Sequence, residues 1–198
     1  MTENEDAVYP NLLIVIGASA GGVSAITKII KQLPSSFQGA ILVATHRDPS
    51  QTNNMLKDVL DHNTRLRVCE PSEGEKIHCT TIYVGRNCDS IIVDGQEIHL
   101  DFVSDVERLK RIDYLFESAA IAGKNAVGVI LSGMLWDGVE GLKAIHEAGG
   151  KCIVQDPEDA LFPDMPRNAL ATIPVDYVGT TDEIASLLME LAAGRSCQ

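Results

Sequence analysis

Residues 11–16, Asn-Leu-Leu-Ile-Val-Ile, pass directly into Gly17-Ala18-Ser19-Ala20-Gly21-Gly22, and an amphipathic pattern follows at once. A short run that is apolar at nearly every position fits a strand covered on both faces, the situation of parallel sheets flanked by helices. The small residues let the chain turn sharply from strand into helix. Such a turn throws its central side chain outward, beside the unpaired N–H groups of the first helical turn. A serine hydroxyl in that place can act as a nucleophile with an anion-stabilising nest at its side.

The same alternation recurs along the chain. Val23, Ile26, Ile29, Ile30 and Leu33 fall at helical spacing until Pro34 stops them. A second buried strand is expected over 40–45, a short helix over 53–60 and a third strand over 65–69. Residues 73–100 change character: 81–84, 90–93 and 97–100 read as short strands, with a hairpin turn at Asp94-Gly95. That segment is expected to form an antiparallel insertion at one sheet edge. Helix 112–122, strand 126–131, helix 139–148, strand 151–155, a helix near 166–171, strand 175–178 and helix 181–193 follow. The pattern predicts an α/β fold: a doubly wound, mainly parallel sheet sandwiched by helices, with a small antiparallel edge insertion. It predicts one domain over 11–193, between an acidic disordered tail (1–10) and a C-terminal tail (194–198).

Composition narrows the classes. A chain of 198 residues that is 45% apolar can bury one full core. A net charge of −12 argues against nucleic acid and anionic membranes as partners. No apolar run approaches the ~20 residues of a membrane span, and the acidic N-terminus is unlike a secretory signal. Five cysteines with no C-x-x-C pair suggest free thiols in a reducing cytoplasm. The spacing of Cys69, His78 and Cys79 matches no zinc-finger pattern.

Ligands of doubly wound sheets bind beyond the carboxyl ends of the strands. Three residues of catalytic type are expected there: Ser19 after the first strand, His46 after the second, and Asp137 in the loop after strand 126–131. Their roles would be nucleophile, general base and orienting carboxylate. Taken singly, Ser19 and Asp137 could be helix N-caps and His46 an ordinary half-buried histidine. Together they supply one of each kind on one rim. A nucleotide-binding module is the rival, because Gly17-x-Ser19-x-x-Gly22 is one step from the dinucleotide fingerprint. That fingerprint needs an acid at the end of the second strand, where His46 stands, with Asp48 two residues later. The order Ser, His, Asp also differs from the α/β-hydrolases, whose histidine comes last.

Gly17-Ala-Ser19-Ala-Gly-Gly22, the histidine after the second strand, 125–134 (Asn-Ala-Val-Gly-Val-Ile-Leu-Ser-Gly-Met) with Asp137-Gly138, and Met165-Pro166-Arg167 occur in this order. The combination resembles the catalytic domain of chemotaxis protein-glutamate methylesterases, the CheB-type family, from about residue 12 to 191. The resemblance implies a cofactor-free, metal-free cytoplasmic serine esterase that demethylates glutamate γ-methyl esters of a chemoreceptor-type helical signalling domain, and deamidates glutamine in many members. It implies Ser19 as nucleophile, His46 as base, Asp137 as acid, the Met134 and Ala20 backbone as oxyanion donors, and Arg167 near the substrate cleft. A non-catalytic docking protein that keeps the fold is the other reading. Three departures fall around the triad: Leu135-Trp136 where the family reads Gly-x, Leu109-Lys110-Arg111 where it reads Arg-Pro-Ser, and Thr45 before the histidine. A leucine in a left-handed glycine position would cost about 1–2 kcal/mol. The ten residues before the first strand cannot hold the family's receiver domain of roughly 100 residues.

Overall fold

The computed structural model describes residues 11–48, 50, 53–102 and 107–195. The expected N-terminal tail lies outside the described residues, as do positions 196–198 of the C-terminal one. Among the described residues seven parallel strands form the main sheet, in the order β10-β9-β8-β1-β2-β5-β3. These are β1 (Leu13–Ala18), β2 (Ala40–Thr45), β3 (Arg67–Cys69), β5 (Thr81–Val84), β8 (Ala126–Ile130), β9 (Lys151–Gln155) and β10 (Tyr177–Gly179). A second, antiparallel sheet contains β4 (Glu75–Lys76), β6 (Asp89–Asp94) and β7 (Glu97–Phe102), ordered β4-β7-β6. Every residue of β1 and β2 is buried, as their unbroken apolar sequence requires.

Among the described residues six α-helices cover the sheet: α1 (Gly22–Ile30), α2 (Met55–Asn63), α3 (Arg111–Ala119), α4 (Val139–Glu147), α5 (Asp164–Thr172) and α6 (Thr181–Ala192). Alternate residues of β1 serve different cores. Leu12, Ile14 and Ile16 join Ile26, Ile29, Leu60 and Leu188 on one face. Leu13 and Val15 join Phe116, Leu142, Ile145 and Ala169 on the other. Each face therefore has its own packed layer, the doubly wound arrangement expected. At roughly 1.5–3 kcal/mol per fully buried large aliphatic side chain, these layers supply the main force holding the strand ends in place.

The structure corrects two expectations. Thr81–Val84 is not part of the antiparallel insertion; it is a parallel strand between β2 and β3, with Ile41 opposite Ile82 and Leu42 opposite Tyr83. All four of its residues are buried, and a strand covered on both faces belongs inside a parallel sheet. The insertion is the β6–β7 hairpin with β4 alongside, packed on α3. The expectation of five free thiols also fails. Cys69, Cys88 and Cys152 are free, but Cys79 is disulfide-bonded.

Candidate active site

The chain leaves β1 toward β2 on one side, and β8 pairs with it on the other. The three strand ends beside this reversal carry Ser19, His46 and the 132–138 loop. The structure brings the three predicted side chains together there. His46 Nε2 lies 2.7 Å from Asp137 Oδ2, and His46 Nδ1 lies 3.2 Å from Ser19 Oγ. A carboxylate can only accept, so Nε2 carries the ring proton and the Nδ1 lone pair faces the hydroxyl. The nitrogens are exchanged relative to the serine-protease template, in which Nδ1–H meets the acid. The imidazole is 17% exposed and the Asp137 side chain 2%.

Local backbone explains why these groups are free for this arrangement. Helix α1 begins at Gly22 with Gly21 as its N-cap, in the left-handed conformation at φ 74° and with no side-chain cap. Ser19 is therefore not a helix cap; its hydroxyl meets His46 instead. Likewise α4 has Gly138 as N-cap with no side-chain cap. The Asp137 carboxylate turns away from α4 and caps α3: Oδ2 accepts from Ile112 N–H at 3.0 Å and Oδ1 from Asp113 N–H at 2.9 Å. These two N–H groups at the start of α3 fix the aim of the carboxylate.

Asp113 returns the exchange. Its Oδ1 accepts from Gly138 N–H at 2.9 Å and Gly141 N–H at 2.8 Å, capping α4. Two helices thus each receive their N-terminal cap from an aspartate of the other segment. Burial pushes the Asp113 carboxyl up to about 6; the Gly141 and Gly138 N–H groups oppose this, and the neighbouring Asp137 charge adds to it. Sequence reading missed this residue. An acid in the first turn of a helix looks like ordinary N-terminal charge, and its partners lie 25 and 28 positions away.

The surroundings of Ser19 are stapled to a third loop. Ser19 N–H donates to Ser132 O at 3.0 Å, Gly133 N–H to Phe162 O at 2.9 Å, and Ser132 Oγ receives Phe162 N–H at 3.0 Å. A side chain on Gly133 would put its Cβ 3.0 Å from Ser19 Cβ and drive into Met165, so glycine is required there. Among the described residues, the N–H groups of Ala20 and Met134 have no hydrogen-bond partner, whereas those of Ser19 and Gly133 are taken. Leu135 has φ 78°, so the leucine does adopt the left-handed backbone of a glycine position. Met134, Leu135, Trp136, Leu161 and Phe162 are all exposed apolar side chains on these two loops. A cleft of about 380 Å³ runs along Leu135 and Trp136 and reaches Asp137. Arg167 is exposed on α5 and pairs with Glu158 at 3.7 Å, a contact of little energetic weight. Arg111, the departure before α3, is buried and donates to the carbonyls of Thr45, Asn87 and Asp89, tying the end of β2 to the insertion.

A doubly wound α/β sandwich that gathers Ser19, His46 and Asp137 at its switch point has the arrangement that serine hydrolases use. The CheB methylesterase family profile matches residues 14–188. The chain belongs to that family. A protein of Leptospira interrogans assigned as a protein-glutamate methylesterase/protein-glutamine glutaminase is 33% identical over 181 residues, covering 90% of this chain and 93% of that one. The protein-glutamate methylesterase/protein-glutamine glutaminase of Paraburkholderia xenovorans is 36% identical over 190 residues, 93% of this chain but 50% of its own length. The crystal structure of the Thermotoga maritima CheB methylesterase catalytic domain superposes with a TM-score of 0.83 at 28% identity, covering 91% of this chain and 98% of that one.

Proposed function

We propose that this protein is a serine esterase that hydrolyses γ-methyl esters of glutamate on a chemoreceptor-type helical signalling domain, and deamidates glutamine at equivalent positions. The observation that supports this best is the imidazole held between Ser19 Oγ and Asp137 Oδ2 in a member of the CheB methylesterase family. Ser19 Oγ attacks the ester carbonyl while His46 Nδ1 takes its proton. The resulting imidazolium is stabilised through Nε2–H by Asp137. The oxyanion is received by the N–H groups of Ala20 and Met134. Collapse expels methoxide, which leaves as methanol with the proton from His46. Water, activated by the same ring, then cleaves the acyl-enzyme and frees the glutamate carboxylate. With an amide the leaving group is ammonia and the steps are otherwise the same.

The exposed apolar loops on either side of Ser19 suit a helical partner, and the exposed Arg167 is assigned to pairing with acidic side chains of such a helix. Among the described residues no helix is long and apolar enough to cross a membrane, in keeping with action on the cytoplasmic part of a receptor. The test is methanol release from a methylated receptor fragment. Ser19→Ala is expected to lower it by at least ~10³-fold with the fold retained. Undiminished release from that variant would refute the assigned nucleophile. No release by the parent protein would favour the docking-protein reading.

A further inference from the structure

Among the described residues, three buried polar side-chain atoms have no hydrogen-bond partner: Thr45 Oγ1, Arg47 Nε and Ser90 Oγ. All three residues line one small cavity between the end of β2 and the start of β6. Thr45 and Ser90 are 3% and 2% exposed. The polar groups around them are otherwise engaged. Arg47 Nη1 donates to Asn54 Oδ1 at 2.7 Å and Nη2 to Gly85 O, while Arg111 covers the carbonyls of Thr45 and Asp89. Orphaned polar atoms are rare in native interiors, and three from residues lining one cavity point to a shared partner.

We propose that this cavity binds one ordered water, held by Thr45, Arg47 and Ser90, and that these residues position His46 through it. The cavity measures about 10 Å³, room for a single water, and buried waters make about three hydrogen bonds. Arg47 Nε–H can only donate, so the occupant must accept. The Asp89 carboxylate on the same wall disfavours a monatomic anion, and the Arg47 and Arg111 guanidiniums disfavour a cation. The site flanks His46 in sequence on both sides. Side chains alternate along an extended chain, so Thr45 and Arg47 point toward the insertion while His46 points toward Ser19. The pairing of β1 with β2 ends at Thr45, opposite Ala18. Beyond it, the anchoring of Thr45 and Arg47 is what sets the angle at which His46 leaves the sheet.

The test has two arms, and only the kinetic one rests on the esterase reading. A high-resolution crystal structure is expected to show one water within hydrogen-bond distance of the three atoms. No density there, or an anomalous peak after a bromide soak, would overturn the assignment. The kinetic arm follows the rate at which a fluorophosphonate probe labels Ser19, the hydroxyl displacing fluoride from phosphorus; this needs no knowledge of the natural substrate. Thr45→Val and Ser90→Ala each leave two partners and are expected to label within about threefold of the parent. The double variant leaves only Arg47 Nε–H and is expected to label at least ~10-fold more slowly, the scale of a displaced catalytic group. Thr45→Ser in the Ser90→Ala background restores the hydroxyl and is expected to restore the rate, with unfolding midpoints measured for all four. Equal labelling rates across the set would overturn the positioning role. A parent protein that resists the probe would refute the esterase reading, while the density still decides the site.

Discussion

Leu135 offers a measurement whose sign is decided by one dihedral angle. At φ 78°, any side chain brings its Cβ against the backbone, at a cost of about 1–2 kcal/mol. Replacing leucine directly by glycine would mix this relief with lost contacts, because Leu135 is 54% exposed and lines the cleft with its remaining surface. The informative comparison is Leu135→Ala against Leu135→Gly, since both lose the same side-chain contacts. Glycine gains the strain relief and gives back about 0.4–1 kcal/mol through the greater freedom of its unfolded chain. The net expectation is that Leu135→Gly is more stable than Leu135→Ala by roughly 0.5–1 kcal/mol. At an ordinary backbone position alanine would win by about 0.5–1 kcal/mol. For a domain of this size the expected gap is about 1–4 °C in Tm. Urea unfolding with equal slopes for the two variants gives the free energies directly. An alanine variant as stable as the glycine variant, or more so, would refute the claim that this loop is strained.

Other outcomes follow from the site. Asp113→Ala leaves the Gly138 and Gly141 N–H groups buried without an acceptor, at about 1–3 kcal/mol each; urea unfolding should show the loss, and Asp113→Asn, which keeps an acceptor, should recover most of it. The folded-state value of Asp113, about 6, lies above that of an unfolded aspartate. Its ionisation therefore costs stability as pH rises from about 4 to 6, and the cost is fully present above that window. The stability of Asp113→Asn relative to the parent should accordingly improve between pH 4 and 7; an unchanged difference would refute the shift. Asp137→Asn should lower ester turnover by roughly 10²–10⁴-fold, seen in kcat. Cys152, whose thiol is pushed up to about 12 by burial and by Asp176, should resist alkylation at pH 8 in the native protein and react only after unfolding.

The parts of this fold that sequence reveals are those fixed by local pattern. Unbroken apolar strands closed by glycine-rich turns located β1, β2 and β8, and with them the rim on which Ser19, His46 and Asp137 lie. The strand Thr81–Val84 was legible as a strand but not as a member of the main sheet. It is four residues long and follows a polar stretch, and nothing in its spacing tells which neighbour it will pair with. Its one signal was the lack of alternation in Ile82-Tyr83-Val84, where Asp89–Asp94 in the hairpin begins and ends on polar residues. The partners of Asp113 and Arg111 could not be read, because each bonds main-chain groups more than 20 positions away. Main-chain groups leave no mark in the residue type of the partner.

The mutual capping of α3 and α4 means that Asp137, the orienting acid of the proposed mechanism, is also a fastener of the fold. Deleting its carboxylate would strip hydrogen bonds from the front of a nine-residue helix as well as silence the imidazole. A catalytically dead yet undamaged protein, of the kind needed to trap a bound substrate, is therefore better made at Ser19. Among the described residues, that hydroxyl makes no hydrogen bond except its contact with His46.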